Sequence, residues 1–228
     1  MEHISLISHN KKGVSMAELI AYVALYGVVM SLLASLVFVI VQAARKVNDQ
    51  AILNRGATIM YTEILSNTIA LDADTVNDVE YKDASGNIIA DPASNKESID
   101  TISITFMKKW SYATTNNETH NDESGNPKTY NIGDRYPLEN PNTIKYVYKK
   151  GTDNIDVIRN GDEDNKTTIN LDFKMTLTSV DDENIYNCIQ VNKQNSSNKY
   201  VTFNGYLHFD NKKMEFNFIV PVFVANVG

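Results

Sequence analysis

Apolar and polar positions divide this chain into three regimes. From Val14 to Val41 the sequence is almost wholly apolar, and Leu19–Val41 is 23 residues without a charge. As a helix that run is roughly 35 Å long, enough to cross a bilayer core of about 30 Å. Tyr22 and Tyr26 are four apart, as are Gly27 and Ser31. Each pair shares a helix face, and small residues so spaced let helices approach closely.

Past Val41 the pattern stays helical but becomes one-sided. Val47, Ala51, Ile59, Met60, Ile64, Leu65 and Ile69 recur among polar Asn48, Asp49, Arg55, Thr62, Glu63 and Asn67. Mixed spacing of this kind predicts an amphipathic helix with one face to bury. Proline is absent before Pro92. One helix is therefore expected from about Val14 to about Ala70, with a bend at Gly56.

Period-two alternation takes over afterwards. Residues 72–98 are rich in turn formers, with Asp72, Asp74, Asn77, Asp78, Asp83, Gly86, Asn87 and Asp91-Pro92. Ile102, Ile104 and Phe106 then alternate with polar neighbours, as do Ile144, Tyr146 and Tyr148. Between them, about Trp110 to Thr143 reads as a long loop, because of Gly125, Pro127, Gly133, Pro137 and Pro141. A turn at Lys150-Gly151 precedes a short strand over Ile155–Arg159. The most regular alternation is Ile169–Leu177, apolar at every odd position, the mark of a strand with one wet face. Strands are also expected at Ile185–Val191, Lys199–Phe203, Tyr206–Phe209 and Met214–Val224, with Asp210–Lys213 as a hairpin turn.

The predicted class is α+β: a long N-terminal helix, its second half laid on an antiparallel sheet. The expected divisions are 1–13 as a short polar leader, 14–44 as a membrane helix, 45–71 as an amphipathic helix and 72–228 as a β-rich domain. A cleaved secretory signal is the competitor. Its apolar core would be about 7–15 residues with a small-residue exit. This run is longer and has no clear exit before Arg45, so it is expected to be retained.

Charge and composition narrow the chemistry. Net charge is −7, and the first thirteen residues carry Glu2, Lys11 and Lys12, so the remainder is acidic. That is not the bulk field of a nucleic-acid binder, and no direct nucleic-acid partner is expected. Lysine exceeds arginine and asparagine abounds, a bias that fits an AT-rich bacterial genome. The lone cysteine, Cys188, forms no internal disulfide and is read as a buried thiol on a strand. Phosphate-binding loops, nucleophile elbows and zinc-ligand spacings are missing, so an enzyme is not the expectation and no cofactor is called. Asp162-Glu163-Asp164 and Asp181-Asp182-Glu183 are acidic clusters. Starting from Asp162, an EF-hand pattern fails at Lys166 and Thr167. Solvated turns are the expectation there, with calcium the alternative. Trp110 and Tyr112 either cap a core or form a binding surface.

One charge stands out. Glu18 is the only charged residue between Lys12 and Arg45. An unpaired carboxylate against lipid costs on the order of a few kcal/mol. Two partners offer themselves: the positive end of its own helix dipole, or a cationic group of a neighbouring chain.

Lys11-Lys12-Gly13, then apolar Val14, Ser15, apolar Met16-Ala17 and Glu18, all at the head of a long apolar helix, resemble the class III signal of type IV pilins and pseudopilins. The chain departs from the usual pattern in having Val14 where the family has Phe, and in Met16-Ala17. The resemblance extends in detail over about residues 11–46 and in layout over the whole chain.

It implies a pilin-like fold and a set of roles. A prepilin peptidase would cut between Gly13 and Val14 and methylate the Val14 amine, with Lys11 and Lys12 as its basic flank. Glu18 would meet the amino terminus of a neighbouring subunit. The mature chain of 215 residues would leave the cytoplasmic membrane, as a single-pass protein, for a cell-surface filament. Its partners would be other pilin subunits and the pilus assembly platform. That length is large for a major subunit and points to a minor pilin. The segments Tyr146-Val147-Tyr148 and Val157-Ile158-Arg159 look like those of the J-type (W-type) minor subunits, which prime assembly. A pseudopilin of a secretion or DNA-uptake system carries the same signal. A membrane-tethered surface binding protein or enzyme is the alternative of another class.

Overall fold

The computed structural model describes residues 15–171, 176–179, 184–193 and 199–222. The chain forms two compact units, residues 1–48 and residues 49–228. Helix α1 spans Met16–Leu71. It starts two residues later than expected, ends one later and runs unbroken through Gly56.

Within the second unit, α1 buries Leu53, Gly56, Met60, Ile64 and Thr68. These are spaced by three and four, the repeat of one helix face. The expected stripe is corrected by this face. Met60 and Ile64 stand at its centre, with Ile59 and Leu65 packed at its margin. Val47, Ala51 and Ile69 are exposed. At 100° per residue they lie about 140–180° round from Met60, so bulk alone could not bring them in. Gly56 and Thr68 are buried because they lie on the right line, although neither looks like core.

Among the described residues twelve strands follow, every pairing antiparallel. The first sheet holds β1 (Thr75–Val76), β2 (Glu80–Lys82), β3 (Thr101–Tyr112), β6 (Arg135–Lys149), β7 (Asn154–Arg159) and β8 (Asp162–Asn170). Its order is β1-β3-β6-β7-β8, with β2 also on β3. Register lines up the inward residues in rows. Ile102 pairs with Tyr148 and Tyr148 with Ile155; Ile104 pairs with Tyr146 and Tyr146 with Val157. Phe106 meets Tyr146 edge-on at 5.8 Å. The Tyr146 hydroxyl donates to the Ile64 carbonyl of α1 at 3.2 Å, fastening sheet to helix.

The expected loop over Trp110–Thr143 is mostly strand. It contains the end of β3, the hairpin β4 (Glu118–Asn121) and β5 (Pro127–Tyr130), and the first half of β6. The prolines misled for a local reason. Lys108 pairs with Asn142 but Trp110 with Pro137, so β6 bulges between them, and Pro141 falls in the bulge where no ladder N–H is required. Pro127 opens β5. Asp74 accepts the freed N–H groups of Lys109 and Trp110, each at 2.9 Å. The Arg135 guanidinium lies 4.4 Å from the centre of the Trp110 ring. The His120 ring stacks on Tyr136 at 3.6 Å and seats the hairpin on β6. Residues 72–98 are largely turn as expected, with β1 and β2 added.

The second sheet has β9 (Thr176–Thr178), β10 (Ile189–Lys193), β11 (Lys199–Phe209) and β12 (Lys212–Val222). Its order is β10-β11-β12, with β9 beside β11. The expected strand Ile169–Leu177 is therefore not one strand. Ile169 and Asn170 close β8 in the first sheet, whereas Leu177 belongs to the second. Residues 172–175 lie outside those described. Burial at Ile169, Leu171 and Leu177 follows the alternation, but a burial pattern does not say which sheet supplies the partner. Tyr148 marks the change of sheet. Its hydroxyl accepts the Leu177 N–H at 2.8 Å and donates toward the Thr152 carbonyl at 3.2 Å.

Cys188 is buried but precedes β10 instead of lying in a strand. Burial pushes its thiol up to about 12. The two expected strands at 199–203 and 206–209 are one, because β12 pairs with β11 throughout. Gly205 is where the other edge of β11 changes partner from β10 to β9. Its φ is 145°, and a Cβ there would stand 2.2 Å from the Thr178 carbonyl oxygen. The hairpin turn expected over Asp210–Lys213 is made by Asp210-Asn211 alone, and Lys212-Lys213 already open β12; Val224 lies outside the described residues. Met60 and Ile64 of α1, Tyr146 and Tyr148 of the first sheet, and Phe203 and Phe216 of the second all line one small apolar void where three layers meet.

Two outcomes are expected. Gly205→Ala should lower the unfolding free energy by at least about 2 kcal/mol, from backbone strain and the clash with Thr178, read by urea titration. Burial raises the phenols of Tyr81, Tyr146 and Tyr148 from 10.0 to about 12, and the Cys188 thiol from 9.0 to about 12. Each group stabilises the fold only while protonated. Stability should therefore hold below pH 9 and fall progressively as pH rises to about 12, with a shallower fall in Tyr148→Phe, followed by circular dichroism.

Candidate functional site

Among the described residues, the first unit presents an uncovered apolar surface. Every described residue from Ser15 to Asn48 is exposed. Exposed large side chains include Leu19, Tyr22, Tyr26, Leu32, Leu36, Phe38 and Ile40. Covering each is worth about 1.5–3 kcal/mol, and an exposed apolar surface of this extent is the mark of an interaction surface. α1 is long and apolar enough to cross a membrane.

Ser35 donates its hydroxyl to the Ser31 carbonyl at 2.9 Å, so the side chain is satisfied within the helix. A Cβ at Gly27 would meet nothing within 4 Å. Gly27, Ser31 and Ser35 form a line of small residues at spacings of four.

Glu18 closes a capping box. Its Oε2 accepts the Ser15 N–H at 2.9 Å, and the Ser15 Oγ accepts the Glu18 N–H at 3.2 Å. Two backbone donors that a helix start leaves unpaired are satisfied reciprocally, and the carboxylate sits at the positive end of the helix dipole. This is the intrachain partner considered from the sequence. Ser15 acts as the cap, which explains why α1 begins at Met16. Sequence reading placed Ser15 in the signal without this role, although Ser-x-x-Glu before an apolar run is itself the capping signature. Lys11, Lys12, Gly13 and Val14 lie outside the described residues.

The remaining candidates disperse over residues 49–228. Asp162 accepts the backbone N–H groups of Asp164 and Asn165, each at 3.2 Å, and the Asn165 amide at 2.8 Å. The Asn165 bonds hold its carboxyl below the usual range, as expected of a turn-capping acid. Asn160-Gly161, both at positive φ, form the adjoining two-residue turn. Among the described residues no group of three or more His, Cys, Asp or Glu is placed to hold a metal ion. Asp181, Asp182 and Glu183 lie outside them. Trp110 is half-buried against Arg135 while Tyr112 is exposed, so the structure brings Trp110 but not Tyr112 into packing. Glu118 accepts from His120, Thr114 and Thr115, and the His120 bond first of all draws its carboxyl down to about 2.

Comparison with protein-family models, with curated proteins and with solved structures gives no match.

The full chain is expected to remain with membranes through alkaline carbonate extraction. Val29→Lys combined with Leu33→Lys, each costing about 2.5–3.5 kcal/mol at a helix centre, should shift most of it out of the membrane fraction, scored by immunoblot.

Proposed function

We propose that this chain is a subunit of the type IV pilin family, a minor pilin that is processed by a prepilin peptidase and then enters or primes a cell-surface filament. The observation that carries this reading is the fully exposed apolar half of α1, whose covering changes from lipid to the helices of neighbouring subunits during assembly. Three further features support it. The acid nearest the start of the apolar run is held at the helix N-terminus by Ser15. The later half of α1 is covered by antiparallel sheets. The residues before Ser15 carry the Lys-Lys-Gly signal.

Hydrolysis of the Gly13–Val14 bond frees the Val14 amine, a cation at the pH of the cell. A cation and a carboxylate brought together in an apolar bundle relieve one another, where either alone is costly. Glu18 keeps the Ser15 N–H through one oxygen, and its other oxygen takes the amine of the next subunit. That contact sets the axial offset between chains. Glu18 thus has two roles, and substitution separates them.

Co-expression with a prepilin peptidase should shorten the chain by its first thirteen residues, measured by mass spectrometry of the intact product. An unshortened amino terminus would sink the reading. Glu18→Gln keeps the capping geometry and removes the charge. It should be cleaved normally yet be recovered in sheared filaments at roughly a tenth of the wild-type level, the loss of about 1.4 kcal/mol. Normal incorporation of Glu18→Gln would remove the pairing role and leave capping alone.

A further inference from the structure

An open cleft of about 230 Å³ lies beside the last turn of α1, between that turn, the middle of β6 and the end of β7. Its polar lining is Asn67, Asn142, Thr143, Arg159 and Asn160, and Ala70, Leu71 and Ile144 give it apolar wall. We propose that this cleft binds a sugar acid, a pyranose ring bearing a carboxylate such as a uronic acid.

The charge balance selects an anion. Among the described residues, Arg159 is the one charged residue lining the cleft and no carboxylate lines it, in a chain whose net charge is −7. Arg159 is held in place from two sides. One terminal nitrogen donates to the Thr167 hydroxyl and the other to the Asn67 Oδ1, both at 2.9 Å. Those bonds use two of the five guanidinium donors, and among the described residues the other three have no partner. A guanidinium fixed this way is suited to a carboxylate.

The amides select a polyol for the rest of the ligand. Asn160 occupies a left-handed turn position, with φ 51°, and its Oδ1 accepts the Thr143 N–H at 2.9 Å. Its amide nitrogen and the whole Asn142 side chain have no partner among the described residues. An amide both donates and accepts, as a sugar hydroxyl does. The Leu71 and Ile144 walls suit the apolar face of a pyranose ring. The volume accommodates one ring with its carboxylate.

The test is saturation-transfer NMR on the full chain in detergent micelles, titrated with sodium glucuronate and, separately, with glucose to about 20 mM, a range that covers weak single-sugar affinities. Glucuronate is expected to give saturable transfer, with glucose at least about tenfold weaker. Asn142→Asp places a like charge in the cleft without removing any hydrogen bond of the fold, and should weaken glucuronate at least about tenfold. Arg159→Lys keeps the charge but loses the fork, and should weaken it also. No saturable transfer from glucuronate, equal binding of glucose, or full binding by Asn142→Asp would each overturn the proposal. Filament assembly does not enter these readouts.

Discussion

Two phenols on one strand hold the second unit together. Tyr146 and Tyr148 point inward from β6, two residues apart on the same face. Tyr146 donates to the helix backbone at Ile64, and Tyr148 receives the Leu177 N–H of the second sheet. Both rings are buried, so each hydroxyl needs a partner, and each has found one on a different layer. Helix, first sheet and second sheet are thereby positioned from one strand. The alternating apolar rows of β3, β6 and β7 fill the space between them, and Asp74 stabilises the bulge from which the β4–β5 hairpin is carried.

Chain economy explains the split character of α1. One continuous helix carries two kinds of surface. Its later half is selective, with a single line of small and apolar residues matched to the sheets. Its earlier half is apolar all round, and every described residue there is exposed. The only charge deep in that part of the chain sits at the very first turn, where unpaired N–H groups can receive it. A carboxylate placed one or two turns later would find every N–H already bonded.

Much of the candidate site could be read directly from residue order. The apolar run, the lone Glu18 and its spacing from Ser15 are local features, and local features survive without knowledge of the fold. The cleft at Arg159 was not legible. Asn67, Asn142 and Arg159 are far apart in sequence and each resembles ordinary surface. What joins them is a β6–β7 register and the end of a helix, and neither leaves a trace in composition. The burial of Thr68 and Gly56 escaped notice for a related reason, since it follows from angle round the helix and not from side-chain character.

By itself the sequence determined the class, the long helix with its change of character near residue 45, the alternating core of β3, β6 and β7, and the burial of Cys188. All of these follow from periodicity and hydrophobicity, which act over a few residues. Only the tertiary structure decided the rest. It turned a proline-rich stretch into paired strands, because the bulge in β6 placed Pro141 where no N–H was missed. It divided Ile169–Leu177 between two sheets, because alternation records burial and not the identity of the partner. It joined 199–209 into one strand across Gly205, because β12 offered an unbroken edge and Thr178 needed the space a side chain would have filled.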